Sequence, residues 1–505
     1  MINLKKLLAN KMLLLLAFSL NLAACNSGGT THYDNGQQNI TWNECNNAHA
    51  GDADYQCATL TVPLDYSNPS LGNTTIGFVK YAKTSNKNYL FYNSGGPWSV
   101  NTGLDFESRL PTSVLDKYTI IAFDPRGVGL SQNLTCDIQN IKQQMDAITT
   151  TSMSSFKQLL SLHDQMYTDC TEQFNGFQKF MGTNLTAQDM DHIRQQLNVD
   201  KISFLGYSYG TQLGDEYLMT YPEHINKMIL DGNVGPSRDV NIFFQSTVTA
   251  LDNGLNYFFG LCDKNPNCLL YPDSKAQFSA ATALVESGVV TTQNGDHVSL
   301  NNFYYWVRRY LNKDNMFYQI ANLVHDINTN HMSPDGFSTS GQTQRKQNYI
   351  LASVLCTDYN KTTNQNLIDL FANAQTQYSG SDILQNLATD LYVDCSANWT
   401  ALSQPLSAVH GTTPEFLIIG NYHDPATSYT NSTDLHSSLP SSRLLSYTGG
   451  GHSAFGKGFS NCVDQYATAY LVDGKLPTED IICNDAQNST SQAIAQTATY
   501  LDGDD

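Results

Sequence analysis

Positive charge is scarce in this chain. Of 505 residues only 27 are Lys or Arg against 46 Asp or Glu, a formal charge of −19. The summed field repels phosphate backbones and anionic headgroups, which argues against nucleic-acid binding and against electrostatic adhesion to lipid surfaces. Neither C-x-x-C nor H-E-x-x-H occurs, so the common structural-zinc and zincin signatures are missing, and no metal or other cofactor is expected. Long apolar runs are missing after Leu20, so no later segment is expected to cross a bilayer. There is no internal repeat. The length suits a large α/β core carrying an inserted second domain.

The first stretch, MINLKKLLANKMLLLLAFSLNLAAC, is organised as an export signal: Lys5, Lys6 and Lys11, an apolar run from Met12 to Leu20, then small residues. Leu22 to Cys25 resembles a bacterial lipobox, which implies cleavage before Cys25 and lipidation of its thiol; the alternative is a plain secretory signal containing a cysteine. Residues 26–38 are rich in Gly, Asn, Thr and Ser and form a polar spacer. The expected location is a bacterial envelope, lipid-anchored and periplasmic, or else secreted. Asn26 rather than Asp after the cysteine favours the outer membrane over the inner. The anchor is the only membrane contact expected.

Of 11 cysteines, removing Cys25 leaves Cys45, Cys57, Cys136, Cys170, Cys262, Cys268, Cys356, Cys395, Cys462 and Cys483. Such an even set in an exported chain suggests disulfides. Pairing neighbours in that order is the simplest connectivity, since short loops close at low entropic cost.

After the spacer, CATLTVPLDY and TTIGFVKYAKT read as a hairpin around the turn SNPSLGN, and YLFYNSGGP and YTIIAFDPRGVGLS each run from a strand into a glycine turn. TAQDMDHIRQQLN has helical periodicity, with Thr186 and Asp189 spaced as a capping pair. KISFLGYSYG then places a strand at Ile202 to Leu205 before a helix beginning near Thr211. KMILDG, EFLIIGN and RLLSYTGG supply later buried strands, and strands alternating with helices imply a mostly parallel sheet covered on both faces. The expected division is 1–25 signal and lipobox, 26–38 linker, 39–235 first part of the sheet domain, 236–410 an inserted helical cap, and 411–505 the rest of the sheet domain. The FYYWV aromatics of the cap are expected in its core rather than along a substrate pocket.

Ser208 stands between Gly206 and Gly210. G-x-S-x-G has a mechanical meaning: a nucleophile on a sharp strand-to-helix turn is held in strained backbone, and small neighbours are needed where chains crowd. With 34 glycines in the chain, the pattern alone decides little. A serine nucleophile also needs a base and a carboxylate that orients it. FLIIGNYHDPAT is an apolar strand ending in a loop with Asp424, and RLLSYTGGGHSAFG one ending in a glycine loop with His452. The 28 positions between them hold one helix and one strand, whereas the 216 between Ser208 and Asp424 require the inserted cap. Asp231, ending MILD, is the alternative acid, with Asp424 preferred. His423 is too close to Asp424 to be its base. Oxyanion donors are expected from the Tyr209 N–H and from the NSGGPW turn, Gly96 preferred and Gly95 in reserve. Arg126 in DPRG is expected to pair with a carboxylate that fixes its loop rather than to bind substrate.

Together WNEC, CATLTVPLDY, SGGP, AFDPRGVGLS, GYSYGTQLG, MILDG, LCTDY, GNYHDPAT and GGGHSAFGKGFSNCVDQYATAYLVDGKLP resemble the serine exopeptidases related to proline iminopeptidase, and most closely the secreted tripeptidyl aminopeptidase branch with its TAP-like C-terminal segment. The resemblance covers nearly the whole mature chain. It implies an α/β-hydrolase fold, Ser208 as acyl-enzyme nucleophile, Asp424 and His452 as its partners, the SGGP turn as oxyanion loop, and peptides with a free N-terminus as substrates, their ammonium paired to a cap acid. Where the family continues G-G-P-G-G-S-G, this chain has Trp98, Ser99, Val100 and Asn101 after Gly95-Gly96-Pro97, a change bearing on substrate preference. Trp98 either narrows the pocket or packs on the cap. The rival readings are an esterase or lipase on the same scaffold and a lipid-anchored binding protein with an inactive site.

Overall fold

The computed structural model describes residues 39–333, 350–394 and 413–486, apart from 46–48, 50, 84–85, 98, 100–104, 135, 137, 147, 149–151, 351, 360–362 and 380. The signal, Cys25, the spacer, Trp98 and Cys395 lie outside the described residues.

Twelve strands are present among the described residues: β1 (Asn43–Glu44), β2 (Tyr55–Pro63), β3 (Asn73–Tyr81), β4 (Tyr89–Asn93), β5 (Thr119–Phe123), β6 (Ile202–Tyr207), β7 (Ile225–Asp231), β8 (Thr291–Thr292), β9 (Met332–Ser333), β10 (Phe416–His423), β11 (Ser442–Gly450) and β12 (Ile481–Cys483). Ten form one sheet in the order β1-β2-β3-β5-β4-β6-β7-β10-β11-β12, and β8 pairs with β9 apart from it. β1 to β3 and the β3–β5 join are antiparallel, while every pairing from β5 to β12 is parallel. The hairpin expected near the start is β2–β3, in register from Tyr55↔Tyr81 to Pro63↔Asn73.

The central strands are buried throughout because both faces are covered. Alternation along each strand divides the core: Leu90, Tyr92, Ile120, Ala122, Leu205 and Tyr207 face one apolar layer, and Phe91, Ile121, Phe123 and Phe204 the other. β4 lies between β5 and β6, so the chain departs in opposite directions on either side of it. That is the topological switch point, where the carboxyl ends of parallel strands leave a crevice. The NSGGP turn after β4 and the GYSYG turn after β6 both open there.

Between β7 and β10 the helices Val240–Cys262, Ser274–Glu286, Leu300–Leu311, Phe317–Asn330, Asn364–Gln377 and Asp382–Asp394 share a separate apolar cluster. Phe303, Tyr304 and Val307 are buried in it and Trp306 packs against it, so the FYYWV aromatics other than the half-buried Tyr305 belong to the core. The same cluster takes in Ile141, Met145, Phe156 and Cys170 from the helices Gln139–Asp146 and Met153–Gln173, and Phe156 stacks on Phe371 at 4.3 Å. The β5–β6 connection thus contributes to the helical layer, although the sequence reading groups it with the sheet.

Disulfides join Cys45–Cys57, Cys136–Cys170, Cys262–Cys268 and Cys462–Cys483, each a pair of sequence neighbours. Cys356 is also disulfide-bonded. One local expectation is corrected: Thr186 and Asp189 do not cap a helix, because the helix begins a turn earlier, at Thr183. Its first N–H finds a distant partner instead, the carboxylate of Asp358, which accepts from Thr183 N at 2.7 Å and from Thr183 Oγ1 at 2.6 Å. Asp189 is thereby released to pair with Arg126. The buried guanidinium donates through Nε to Asp189 Oδ2 at 2.6 Å and through Nη2 to Oδ1 at 2.8 Å, and its remaining donors hold the carbonyls of Pro63 and Leu64. Arg126 is a structural tie between the DPRG turn, β2 and this helix.

Candidate active site

β6 runs to Tyr207 and the next helix, Tyr209–Thr220, starts at once, two residues earlier than periodicity suggests. Ser208 makes the corner with φ 53° and ψ −122°, a conformation that a non-glycine residue adopts only when its surroundings impose it. The glycines allow the turn to close. A Cβ on Gly206 would collide with the Gly210 carbonyl, and one on Gly210 would come within 2.8 Å of the Asn93 carbonyl and side-chain oxygens. Ser208 N–H is held by the Asp231 carbonyl at 3.1 Å, anchoring the corner to the end of β7.

The turn after β4 packs on this corner. A Cβ on Gly95 would lie 2.8 Å from Ser208 Cβ, and both Gly95 and Gly96 have positive φ. Gly95 N–H donates to Asn93 Oδ1 at 2.9 Å, which leaves the N–H of Gly96 as this turn's candidate oxyanion donor. The second, Tyr209 N–H, opens the elbow helix, where the dipole adds to its pull on negative charge. Asn93 was not singled out from sequence, although its place at the strand end, two residues before the glycine, was a usable signal.

His452 and Asp424 are brought together. His452 Nδ1 lies 3.0 and 2.9 Å from the two carboxylate oxygens of Asp424. Asp424 is 1% exposed and further held by Ala426 N and Thr427 N at 2.8 Å, Thr427 Oγ1 at 3.0 Å and Ser453 N at 3.3 Å. A carboxylate with this many donors is fixed in place and suited to orienting an imidazole through Nδ1. Gly232 leaves room for the ring, since a Cβ there would come within 3.2 Å of His452 Cε1 and 3.4 Å of its Nδ1. Because Asp231 holds Ser208 N–H and Gly232 abuts the imidazole, the end of β7 touches both the Ser208 corner and His452.

Asp231, the alternative acid, takes another part. Its carboxylate accepts from Ala454 N at 3.0 Å and Phe455 N at 2.8 Å, and its carbonyl from Ser453 Oγ at 3.2 Å. It braces the loop that carries His452. Burial pushes its carboxyl up to about 7 against the downward pull of those two N–H donors. Asn421 also braces the loop, donating to the carbonyls of Gly451 and Ser453 at 2.9 Å. His423 points away, stacked on Tyr257 at 3.9 Å with Nδ1 3.0 Å from Asn253 Oδ1, and burial lowers its pKa. The helical insertion reaches the site directly: His452 N–H donates to the Asn312 carbonyl at 2.8 Å. Neither brace nor insertion contact is visible in local sequence, since each joins residues far apart in the chain. Among the described residues no group of three or more His, Cys, Asp or Glu side chains is placed to hold a metal ion.

Comparison with known proteins agrees with the fold. The family model for the alpha/beta hydrolase fold matches residues 92–459. The serine protease Hip1 of Mycobacterium tuberculosis is 25% identical over 461 residues, covering 85% of this chain and 87% of that protein. A tripeptidyl aminopeptidase of Streptomyces lividans is 25% identical over 469 residues, with 88% and 86% covered. A protein named carboxylesterase B, also from Mycobacterium tuberculosis, is 26% identical over 479 residues, with 88% and 89% covered.

Proposed function

Because this chain belongs to the α/β-hydrolase family, we propose that it is an exported serine aminopeptidase releasing di- or tripeptides from the free N-terminus of short peptides. The observation that carries the reading is that the strained Ser208 corner and the His452–Asp424 pair meet on one carbonyl, that of Asp231, which accepts from Ser208 N–H at 3.1 Å and from the hydroxyl of Ser453, next to His452, at 3.2 Å. Ser208 Oγ attacks the scissile carbonyl while His452 Nε2 takes its proton, and Asp424 stabilises the imidazolium through Nδ1. The N–H groups of Gly96 and Tyr209 receive the negative charge that develops on the carbonyl oxygen. His452 then gives its proton to the leaving amine, and a water activated by the same histidine hydrolyses the acyl-enzyme. Similarity to the Streptomyces aminopeptidase supports the peptide specificity. The export-signal pattern of the first residues and the lipobox-like Leu22 to Cys25 support a location outside the cytoplasmic membrane, lipid-tethered or secreted.

The carboxylesterase relative, equally similar, supports a second reading: hydrolysis of small carboxylic esters by the same residues. A panel of di- and tripeptidyl chromogenic amides, each with a free or acetylated N-terminus, tested beside p-nitrophenyl esters, separates the two. Amide cleavage that requires the free amine and vanishes in Ser208→Ala is the expected result. Ester turnover without amide cleavage would move the function to an esterase, and a ligand-binding activity that survives Ser208→Ala would point to a binding protein.

A further inference from the structure

The elbow helix that follows Ser208 carries polar side chains on its buried face. Tyr209, Gln212 and Asp215 are all buried, and each is tied to a residue far off in the chain. Thr183 Oγ1 gives its proton to Asp358 Oδ2 at 2.6 Å, so it accepts from the Tyr209 hydroxyl, 2.8 Å away. Gln212 Nε2 donates to the same Asp358 oxygen at 2.8 Å, and Gln212 Oε1 accepts from the Tyr359 hydroxyl at 3.0 Å. Three residues on, Asp215 Oδ2 accepts from Arg238 Nη2 at 2.6 Å. With Thr183 N–H on its other oxygen, the buried Asp358 carboxylate gathers three donors. Arg238, Asp358 and Tyr359 all lie between β7 and β10, in the inserted part of the chain. Tyr359 is buried in the apolar cluster of the insertion with Leu355 and Cys356, and its ring meets that of Phe243, on the Val240–Cys262 helix, at 5.3 Å. Asp358 is thus anchored in the helical layer while its carboxylate reaches the elbow.

Buried hydrogen bonds hold the groups they join in place, because a donor stranded there without its acceptor is costly. The consequence falls first on Tyr209. Its N–H is the oxyanion donor of the elbow, and its side chain is the near end of the bond chain Tyr209–Thr183–Asp358. We propose that Asp358 is a positioning residue for catalysis: through Thr183 and Gln212 it sets the first turn of the elbow helix, and with it the Tyr209 N–H that receives the developing negative charge. The role is indirect, exerted through the helix and not on substrate. The proposal rests on the serine mechanism above, with Tyr209 N–H in the oxyanion hole, and holds for an amide or an ester substrate alike.

The test takes whichever chromogenic amide or p-nitrophenyl ester the wild-type protein turns over, and measures kcat and KM separately for Asp358→Asn, Tyr209→Phe and the double variant. Asp358→Asn keeps the shape of the side chain but turns an NH2 group towards a donor, and Tyr209→Phe removes only the hydroxyl. Since a shift of the donor by about 0.5 Å costs on the order of tenfold, kcat should fall about tenfold in Asp358→Asn and at least about threefold in Tyr209→Phe, with KM within about twofold in both. The double variant should lose no more than Asp358→Asn alone, because both substitutions cut one chain of bonds. Wild-type kcat in either folded single variant would overturn the proposal, as would a loss carried by KM or losses that multiply in the double variant. Where Asp358→Asn does not fold, Tyr209→Phe decides. A wild-type protein that turns over neither class of substrate, or one whose activity survives Ser208→Ala, would instead sink the serine mechanism itself, an outcome distinct from unchanged kcat in the variants.

Discussion

Gly210→Ala separates the positioning of the oxyanion turn from the stability of the fold. Gly210 lies in the first turn of the elbow helix, where alanine is intrinsically favoured by about 1 kcal/mol. The new methyl, however, would stand 2.8 Å from both the carbonyl and the side-chain oxygen of Asn93. Contacts of that kind need roughly 0.5 Å more, and overpacking of this size costs about 1–3 kcal/mol, so the net loss of stability is about 0–2 kcal/mol. Asn93 is not an idle neighbour, since its Oδ1 holds Gly95 N–H at 2.9 Å and so fixes the turn presenting Gly96. Relief by moving Asn93 carries that donor with it. If a 1 Å misplacement costs about 100-fold, half of that costs on the order of tenfold. The expected outcome is a kcat about tenfold below wild type, KM little changed, and a Tm lower by no more than a few degrees. Steady-state kinetics on a chromogenic substrate, with thermal unfolding of the same preparation, check it. Wild-type kcat in a folded Gly210→Ala protein would refute the assigned role of the Asn93–Gly95 turn.

Asp424→Asn should leave the fold intact but lower kcat by about 10³–10⁴-fold, because the imidazole loses the acceptor that fixes its tautomer; a loss under tenfold would return Asp231 to consideration as the acid. Arg126→Met should destabilise by about 3–5 kcal/mol, seen in chemical denaturation, because it strands the fully buried Asp189 carboxylate. Asp358 is raised to about 7, chiefly by burial, so the folded protein binds a proton that the unfolded chain has already lost between about pH 4 and 7. Its stabilising contribution is therefore full below about pH 4 and is lost as pH rises through 7. Relative to Asp358→Asn, wild-type stability should fall with rising pH across that window by up to about 1.4 kcal/mol per unit, and a constant difference would show that the carboxyl does not titrate there.

The parts of the site legible in sequence are those that depend on short-range geometry. Gly206 and Gly210 flank Ser208 because the chain must turn within a few residues, and Asp424 and His452 follow apolar strands because loops at strand ends carry such groups. What stayed hidden depends on pairing across the fold. No local pattern marks Asp358 as the acceptor for the helix at Thr183, and the Thr186–Asp189 spacing misled because Asp189 was needed by Arg126 instead. Nor does spacing reveal that Asp231 bears on the loop after His452, or that the Gln139–Asp146 and Met153–Gln173 helices join the apolar cluster of the insertion.

The hydrogen bond from His452 N–H to the Asn312 carbonyl has an implication for remodelling the enzyme. Inserted helical layers are attractive targets for transplantation, on the premise that specificity travels with the insertion and reactivity stays with the sheet. Here that partition fails at one atom, the Asn312 oxygen. A replacement layer would have to present a carbonyl at the same point, or His452 itself would be re-seated. In this chain the insertion and the His452 loop would have to be exchanged together.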